Sequence, residues 1–306
     1  MKQRALGNTG LMISEIGMGC WAIGGNRHGN SYGTTDDTRS IAAIHKALEL
    51  GCTFFDTADV YGHGHSEEIL GRALKGKGDR AIVATKVGGD FYGPMPQLNF
   101  SEKYIRFACE ESLKRLQRET IDLYQLHNPS LRMIQDGGLF EPLETLKQEG
   151  KIRFYGISIH DPLEGLAAMD SGNVAAIQVV YNLFRREAAD QLFPEAQKRG
   201  IAIIAREPLF NGFLAGTHSA DSAFESGDIR QPWPRAWKEQ IVSAVELIRR
   251  DLSAKAEIVT PAQAALRFVL EHEAVSVTIP GAKTPEQIEE NLKASGLSFS
   301  AKIEIG

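Results

Sequence analysis

The sequence predicts a closed (β/α)8 barrel. Three observations point there. Eight short β-branched runs are each followed by an amphipathic segment, no linker rich in Pro, Gly or Ser divides the chain, and the first strand is not followed by a GxGxxG turn. A doubly wound sheet would want that turn, but EIGMGCWAIGG lacks the pattern and the next helix begins only near residue 37. The whole chain, 1–306, is therefore expected to form one barrel domain.

The elements follow in order. KQRALGNTGLMIS reads as two short strands around Gly7, Asn8, Thr9 and Gly10, a β-hairpin that would cover the barrel bottom. Barrel strands are expected at 15–20, 52–58, 81–86, 122–127, 152–158, 175–181, 201–206 and 276–280. Helices are expected near 37–50, 66–76, 101–116, 139–149, 161–170, 190–199, 237–250, 261–271 and 285–294. Asp161 before Pro162, with Glu164 at the capping-box position, marks one start. Thr260-Pro261 and Thr284-Pro285 mark two more by placing proline in a first turn. Two stretches, 87–100 and 207–236, fit neither strand nor regular helix. They are the long loops after strands three and seven, at the face where barrel sites lie.

Composition narrows the function. Lys plus Arg total 34 against 39 for Asp plus Glu, a formal charge of -5 with no basic block, which argues against nucleic acid as partner. Cys20, Cys52 and Cys109 form no CxxC and no cluster, as in a reducing compartment. No signal-like start and no long apolar run is present, so a cytoplasmic protein without membrane contact is expected.

Polar residues stand at the strand exits: Asp56 on the second, Lys86 on the third, His127 on the fourth, Ser158 on the fifth and Arg206 on the seventh, with Tyr61 just beyond Asp56. Alone, each reads equally well as a capping or bracing group. Together they suit one chemistry. A tyrosine hydroxyl is a poor acid, a neighbouring ammonium lowers its pKa, and a carboxylate keeps that ammonium charged. A histidine adds a donor for a substrate oxygen, so the set can protonate a carbonyl as negative charge develops on it. None of the four can supply a hydride, so a separate source is required.

The ordered motifs FFDTADVYG with GHSEEILGRAL, ATKVG, SLKRLQRETIDLYQLHNP, IRFYGIS, QVVYNLF, AREPLFNGFLAG and VTIPGAKTPEQIEENL cover nearly the whole chain. In this set the chain resembles the aldo-keto reductase superfamily, in a bacterial-type branch related to potassium-channel β-subunits. The resemblance implies an NADPH-dependent oxidoreductase that reduces aldehydes or ketones by hydride transfer. It implies a catalytic tetrad of Asp56, Tyr61, Lys86 and His127, with Tyr61 as general acid in reduction, Lys86 lowering its pKa, Asp56 supporting Lys86 and His127 orienting the carbonyl.

It also implies the cofactor groove. Ser158 and Gln178 would hold the nicotinamide amide, with Ile159 where the family usually has asparagine. Arg206 would stack under the ring. Leu209, Asn211 and Gly212 would line the pyrophosphate. Gly281, Lys283 and Thr284 would meet the adenosine end, and Lys283 would hold a 2′-phosphate. Gln287 replaces the family's phosphate-binding arginine, so Gln287, Glu290 and Asn291 would contact ribose or adenine. NADPH is favoured, with NADH as the alternative, and the partner is a small carbonyl compound.

Other residues carry less. His63 and His65 in YGHGHSEE complete no metal set, so no metal is expected, and Glu67 and Glu68 read as first-turn helix acids. Trp21, Phe91, Tyr92 and Trp233 read equally as pocket walls or loop packing. The chain end SFSAKIEIG carries no long covering segment, which suggests an open pocket or one closed by 87–100 and 207–236. Two readings stay beside the reductase: a nucleotide sensor on the same barrel, and a Schiff-base aldolase using Lys86.

Overall fold

The computed structural model describes residues 1–28, 31–77, 80–254 and 259–297; the chain end at 298–306 lies outside them. Period-2 alternation along the strands builds the barrel. The eight parallel strands are β3 (Met18–Gly19), β4 (Phe54–Asp56), β5 (Ile82–Val87), β8 (Ile121–His127), β9 (Ile152–Ser158), β10 (Ala176–Val180), β11 (Ala202–Arg206) and β12 (Val275–Thr278), paired in that order. Phe54, Ala84, Leu123, Ala176, Ile204 and Val277 fill the interior. Their neighbours Phe55, Val83, Tyr124, Ile177 and Ile203 face outward under the helices.

The sheet closes on itself. Gly17 N–H donates to the Thr278 carbonyl at 2.8 Å, Thr278 N–H to Glu15 at 3.0 Å and Gly19 N–H to Pro280 at 2.9 Å. Glycine is required at the seam, since a Cβ on Gly19 would lie 2.6 Å from the Ile279 carbonyl oxygen. The first strand is shorter than the expected 15–20. The hairpin β1 (Gln3–Ala5) and β2 (Met12–Ser14) plugs the bottom, where Leu6 and Ile13 are fully buried against the interior layer.

The helices are α1 (Asp37–Glu49), α2 (His65–Leu74), α3 (Glu102–Leu116), α4 (Leu131–Gln135), α5 (Glu141–Gln148), α6 (Pro162–Ser171), α7 (Glu187–Gln191), α8 (Phe193–Arg199), α9 (Arg235–Ala254), α10 (Pro261–Glu271) and α11 (Pro285–Leu292). The capping box at Asp161 and Glu164 forms, as do the Thr260 and Thr284 caps. Two corrections concern local chemistry. The helix expected at 190–199 is broken at Leu192, because Pro194 in the first turn of α8 has no N–H to continue the ladder. The loop 87–100 is not structureless: β6 (Gly89–Asp90) and β7 (Gln97–Leu98) pair antiparallel within it. Among the described residues no helix is long and apolar enough to cross a membrane.

Candidate active site

At the carboxyl ends of the strands lies a cavity of about 790 Å³. Beneath it lies a buried polar layer, one residue pair above the apolar interior, formed by Asp56, Lys86, Gln125 and Gln178, of which Asp56 and Gln178 line the cavity. Strand alternation puts Asp56 two residues beyond Phe54 and Lys86 two beyond Ala84, so both enter the same layer. Lys86 is fully buried. Its ammonium donates to Asp56 Oδ1 at 2.5 Å, to the Thr57 carbonyl at 2.8 Å and to the Tyr61 hydroxyl at 3.1 Å, using all three N–H bonds. Burial pulls the Lys86 pKa down, but the Asp56 carboxylate and Tyr61 outweigh it and the net shift is upward.

Tyr61 differs from the expectation of a lowered pKa. Lys86 does draw it down, but burial is the larger influence and, with Asp56, leaves it above the ordinary tyrosine value. The phenol is therefore protonated at neutral pH. His127 meets the Tyr61 ring edge-on, with centroids 5.8 Å apart. Its pKa lies well below the usual imidazole value because of burial first, then Lys86, Arg206 and His160, so the ring is neutral.

Of the expected cofactor residues, Ser158, Gln178, Arg206, Leu209, Asn211, Gly212, Gly281, Lys283 and Gln287 line this cavity. Gln178 has a second commitment: its amide nitrogen donates to Asp56 Oδ2 at 2.7 Å. Arg206 pairs with Glu207 and donates to the Ile159 carbonyl at 3.0 Å, while its buried Nε has no partner. The Lys283 ammonium donates to the carbonyls of Tyr32 and Thr34.

Three expected contacts lie off the cavity. Thr284 caps α11 by accepting from Gln287 N–H. Asn291 is buried and donates to the Gly281 carbonyl at 3.4 Å. Glu290 turns to the start of α10, where it accepts from Thr260 and Gln263, because the capped helix end supplies donors. Glu67 and Glu68 both stand in the first turn of α2, as expected. Glu67 is also fully buried, accepting from Thr85 Oγ1 at 2.5 Å and from Arg115 Nε at 2.7 Å, whereas Glu68 is exposed.

Trp21 and Phe91 are walls; Tyr92 stands behind Phe91, and Trp233 packs on Phe213 and Trp237. His65 turns to the Gly24 carbonyl and Asp37, while His63 enters the wall. Several lining residues escaped the sequence. Asn128 accepts from Ser158 Oγ at 3.0 Å and brings an amide beside the position where Ile159 interrupts the family pattern. Asn128 directly follows His127 past the end of β8, in a left-handed backbone with φ 58° that asparagine tolerates. Tyr32 donates to Asn211 Oδ1 at 2.7 Å, and Arg230, ion-paired with Asp228, packs over the Tyr32 ring.

The family model described as Aldo/keto reductase family matches residues 15–303. The aldo-keto reductase YhdN of Bacillus subtilis (strain 168) is 34% identical over 313 residues, covering 99% of this chain and 91% of that protein. The structure of the glycerol dehydrogenase AKR11B4 from Gluconobacter oxydans superposes with a TM-score of 0.84 at 32% identity, covering 97% of this chain and 91% of the other. An aldo/keto reductase from Klebsiella pneumoniae in complex with NADP and acetate has a TM-score of 0.73 at 26% identity, covering 99% and 93%. With the match spanning the barrel from its first strand to beyond its last helix, the chain belongs to the aldo/keto reductase family and is an oxidoreductase.

Proposed function

We propose that this protein reduces aldehydes or ketones to alcohols with NADPH, and that Tyr61 delivers the proton. The observation that carries the proposal is the buried Lys86 ammonium, shared between the buried Asp56 carboxylate and the Tyr61 hydroxyl at the cavity. The cavity suits a dinucleotide: Arg206 offers an unpartnered buried N–H beside the tetrad, and Lys283 and Arg230 offer positive charge farther along. Bound NADPH would supply the hydride.

The chain's own residues do the rest. Tyr61 keeps its proton until negative charge develops on the substrate oxygen, then donates it there. Lys86 stabilises the phenolate left behind, and Asp56 holds Lys86 charged and in place. Neutral His127 donates a second hydrogen bond to the same oxygen. In alcohol oxidation the phenolate takes the proton back. A Schiff base on Lys86 is disfavoured, because its raised pKa keeps the amine protonated and unable to attack. Lys283 is the proposed 2′-phosphate contact, with Gln287 leaving that contact weaker than an arginine would.

The test pairs two measurements on Tyr61→Phe. Turnover with NADPH and an aldehyde should fall by about 10²–10⁴-fold, while a fluorescence titration still shows NADPH bound. Normal turnover in this variant would remove Tyr61 from the chemistry. Titration of the wild type with NADPH and NADH checks the nucleotide, and comparable affinities would remove Lys283 as a phosphate reader.

A further inference from the structure

Three loops of different strands meet beside Tyr61 in one column of rings. His28 stacks on His63 with centroids 4.2 Å apart, His63 on Phe91 at 4.7 Å and Phe91 on Tyr92 at 4.6 Å, each pair within 22° of parallel. His28, His63 and Phe91 line the cavity, and Tyr92 lies behind them. Trp21 also lines the cavity, within 30° of parallel to Tyr61 at 6.0 Å. His63 is held with φ 52°, a left-handed backbone that costs an imidazole-bearing residue strain, and such strain persists where the surroundings impose it.

The column is braced from outside the barrel. Arg115 on α3 donates from Nη1 to the Tyr92 hydroxyl at 2.7 Å and from Nε to the fully buried Glu67 at 2.7 Å. Glu67 is itself fixed by Thr85, the strand neighbour of Lys86. Gly64 lets the brace pass, since a Cβ there would lie 2.6 Å from Arg115 Cδ. Neither Arg115 nor Glu67 reaches the cavity.

We propose that the stacked rings His28, His63 and Phe91 select planar aryl aldehydes as substrates, and that Arg115, acting through Tyr92, is the positioning residue for this wall. The inference rests on the reductase function proposed above and names its substrate class. The faces of His63 and Phe91 are taken up by their stacked neighbours, so these rings meet the cavity by their edges; edge-to-face contacts reward a rigid planar ring and reward a flexible alkyl chain less.

The test measures kcat and KM at saturating NADPH for benzaldehyde and for propanal, in the wild type, Phe91→Ala, Tyr92→Phe and Arg115→Lys. The wild type should prefer benzaldehyde in kcat/KM. Phe91→Ala should raise its KM about tenfold. Tyr92→Phe and Arg115→Lys should raise it about threefold or more, with kcat and the propanal KM within about twofold of wild type. Lysine cannot span Glu67 and Tyr92 together, so its effect should be the larger of the two. Equal shifts for both aldehydes, no shift, or a wild type without aryl preference would each overturn the proposal. If Arg115→Lys does not fold, Tyr92→Phe, which removes one hydroxyl, decides alone. Reduction of neither aldehyde by the wild type would sink the reductase function and this inference with it, an outcome distinct from reduction without preference.

Discussion

The amide nitrogen of Gln178 lies 2.7 Å from Asp56 Oδ2, joining two side chains 122 residues apart in the chain. Gln125 donates to the same oxygen at 3.2 Å, and Lys86 donates to the other. The carboxylate that holds the lysine is thus itself held on both sides. A glutamine expected only at the cofactor also holds the carboxylate of Asp56.

Gln178→Leu therefore separates two roles. Losing a donor to a buried carboxylate should lower the unfolding free energy by about 1–3 kcal/mol, read by denaturant titration. If the Asp56 contact is its main task, turnover falls while the NADPH dissociation constant changes less than about threefold. A tenfold weaker NADPH complex, the loss of about 1.4 kcal/mol, would show the cofactor contact to dominate.

The Asp56–Lys86 pair is buried on both sides, so breaking it from one side is costly. Lys86→Met should destabilise the fold by about 3–5 kcal/mol by stranding the carboxylate. Asp56→Asn combined with Lys86→Met should recover most of that stability and no turnover. A double variant no more stable than the single one would contradict the pairing.

The pH dependence follows from the buried imidazoles. His127 binds its proton far less readily in the folded chain, whereas the unfolded chain takes one up below about pH 6.5. Stability is then full above that pH and lost as pH falls, by up to about 1.4 kcal/mol per pH unit for His127 and less for the more exposed imidazoles, which water screens. His63, His160, His218 and His272 are shifted the same way, burial being the first cause in each. Thermal melts from pH 8 to about pH 5 should show this slope, and His127→Gln should reduce it.

Asp59 has the opposite sign. It is fully buried, one carboxylate oxygen has no partner, and burial, then the charge of Glu67, raises its pKa well above the ordinary value. The folded chain keeps a proton that the unfolded chain releases, so this contribution is lost as pH rises through the folded pKa. Asp59→Asn, neutral at every pH, should match or exceed wild-type stability, with its advantage growing toward alkaline pH in thermal melts.

The barrel was legible because burial on strands has a short period. Phe54 and Asp56 share a face by alternation alone, and the same rule places Lys86, Gln125 and Gln178 in one layer once the strands are parallel and in register. The exits of the strands, the caps at Asp161, Thr260 and Thr284, and the joint presence of Asp56, Tyr61, Lys86 and His127 are all local signals of this kind.

What escaped depends on which loop meets which. Glu67 looks like any first-turn acid until Arg115, 48 residues on, is seen to reach it. His63 looks like half of a loose histidine pair until His28 and Phe91 close on it from two other loops. Glu290, expected at the adenosine end, also reaches across to accept from Thr260 and Gln263. The sequence by itself determined the barrel, its chemical end and the four residues gathered there, because hydrophobic periodicity and strand position are carried by each segment separately. Only the tertiary structure decided the partners of Gln178, the brace behind the ring wall and the protonation of Tyr61 and His127. Those depend on burial and on charges brought together from distant segments, and no single segment encodes either.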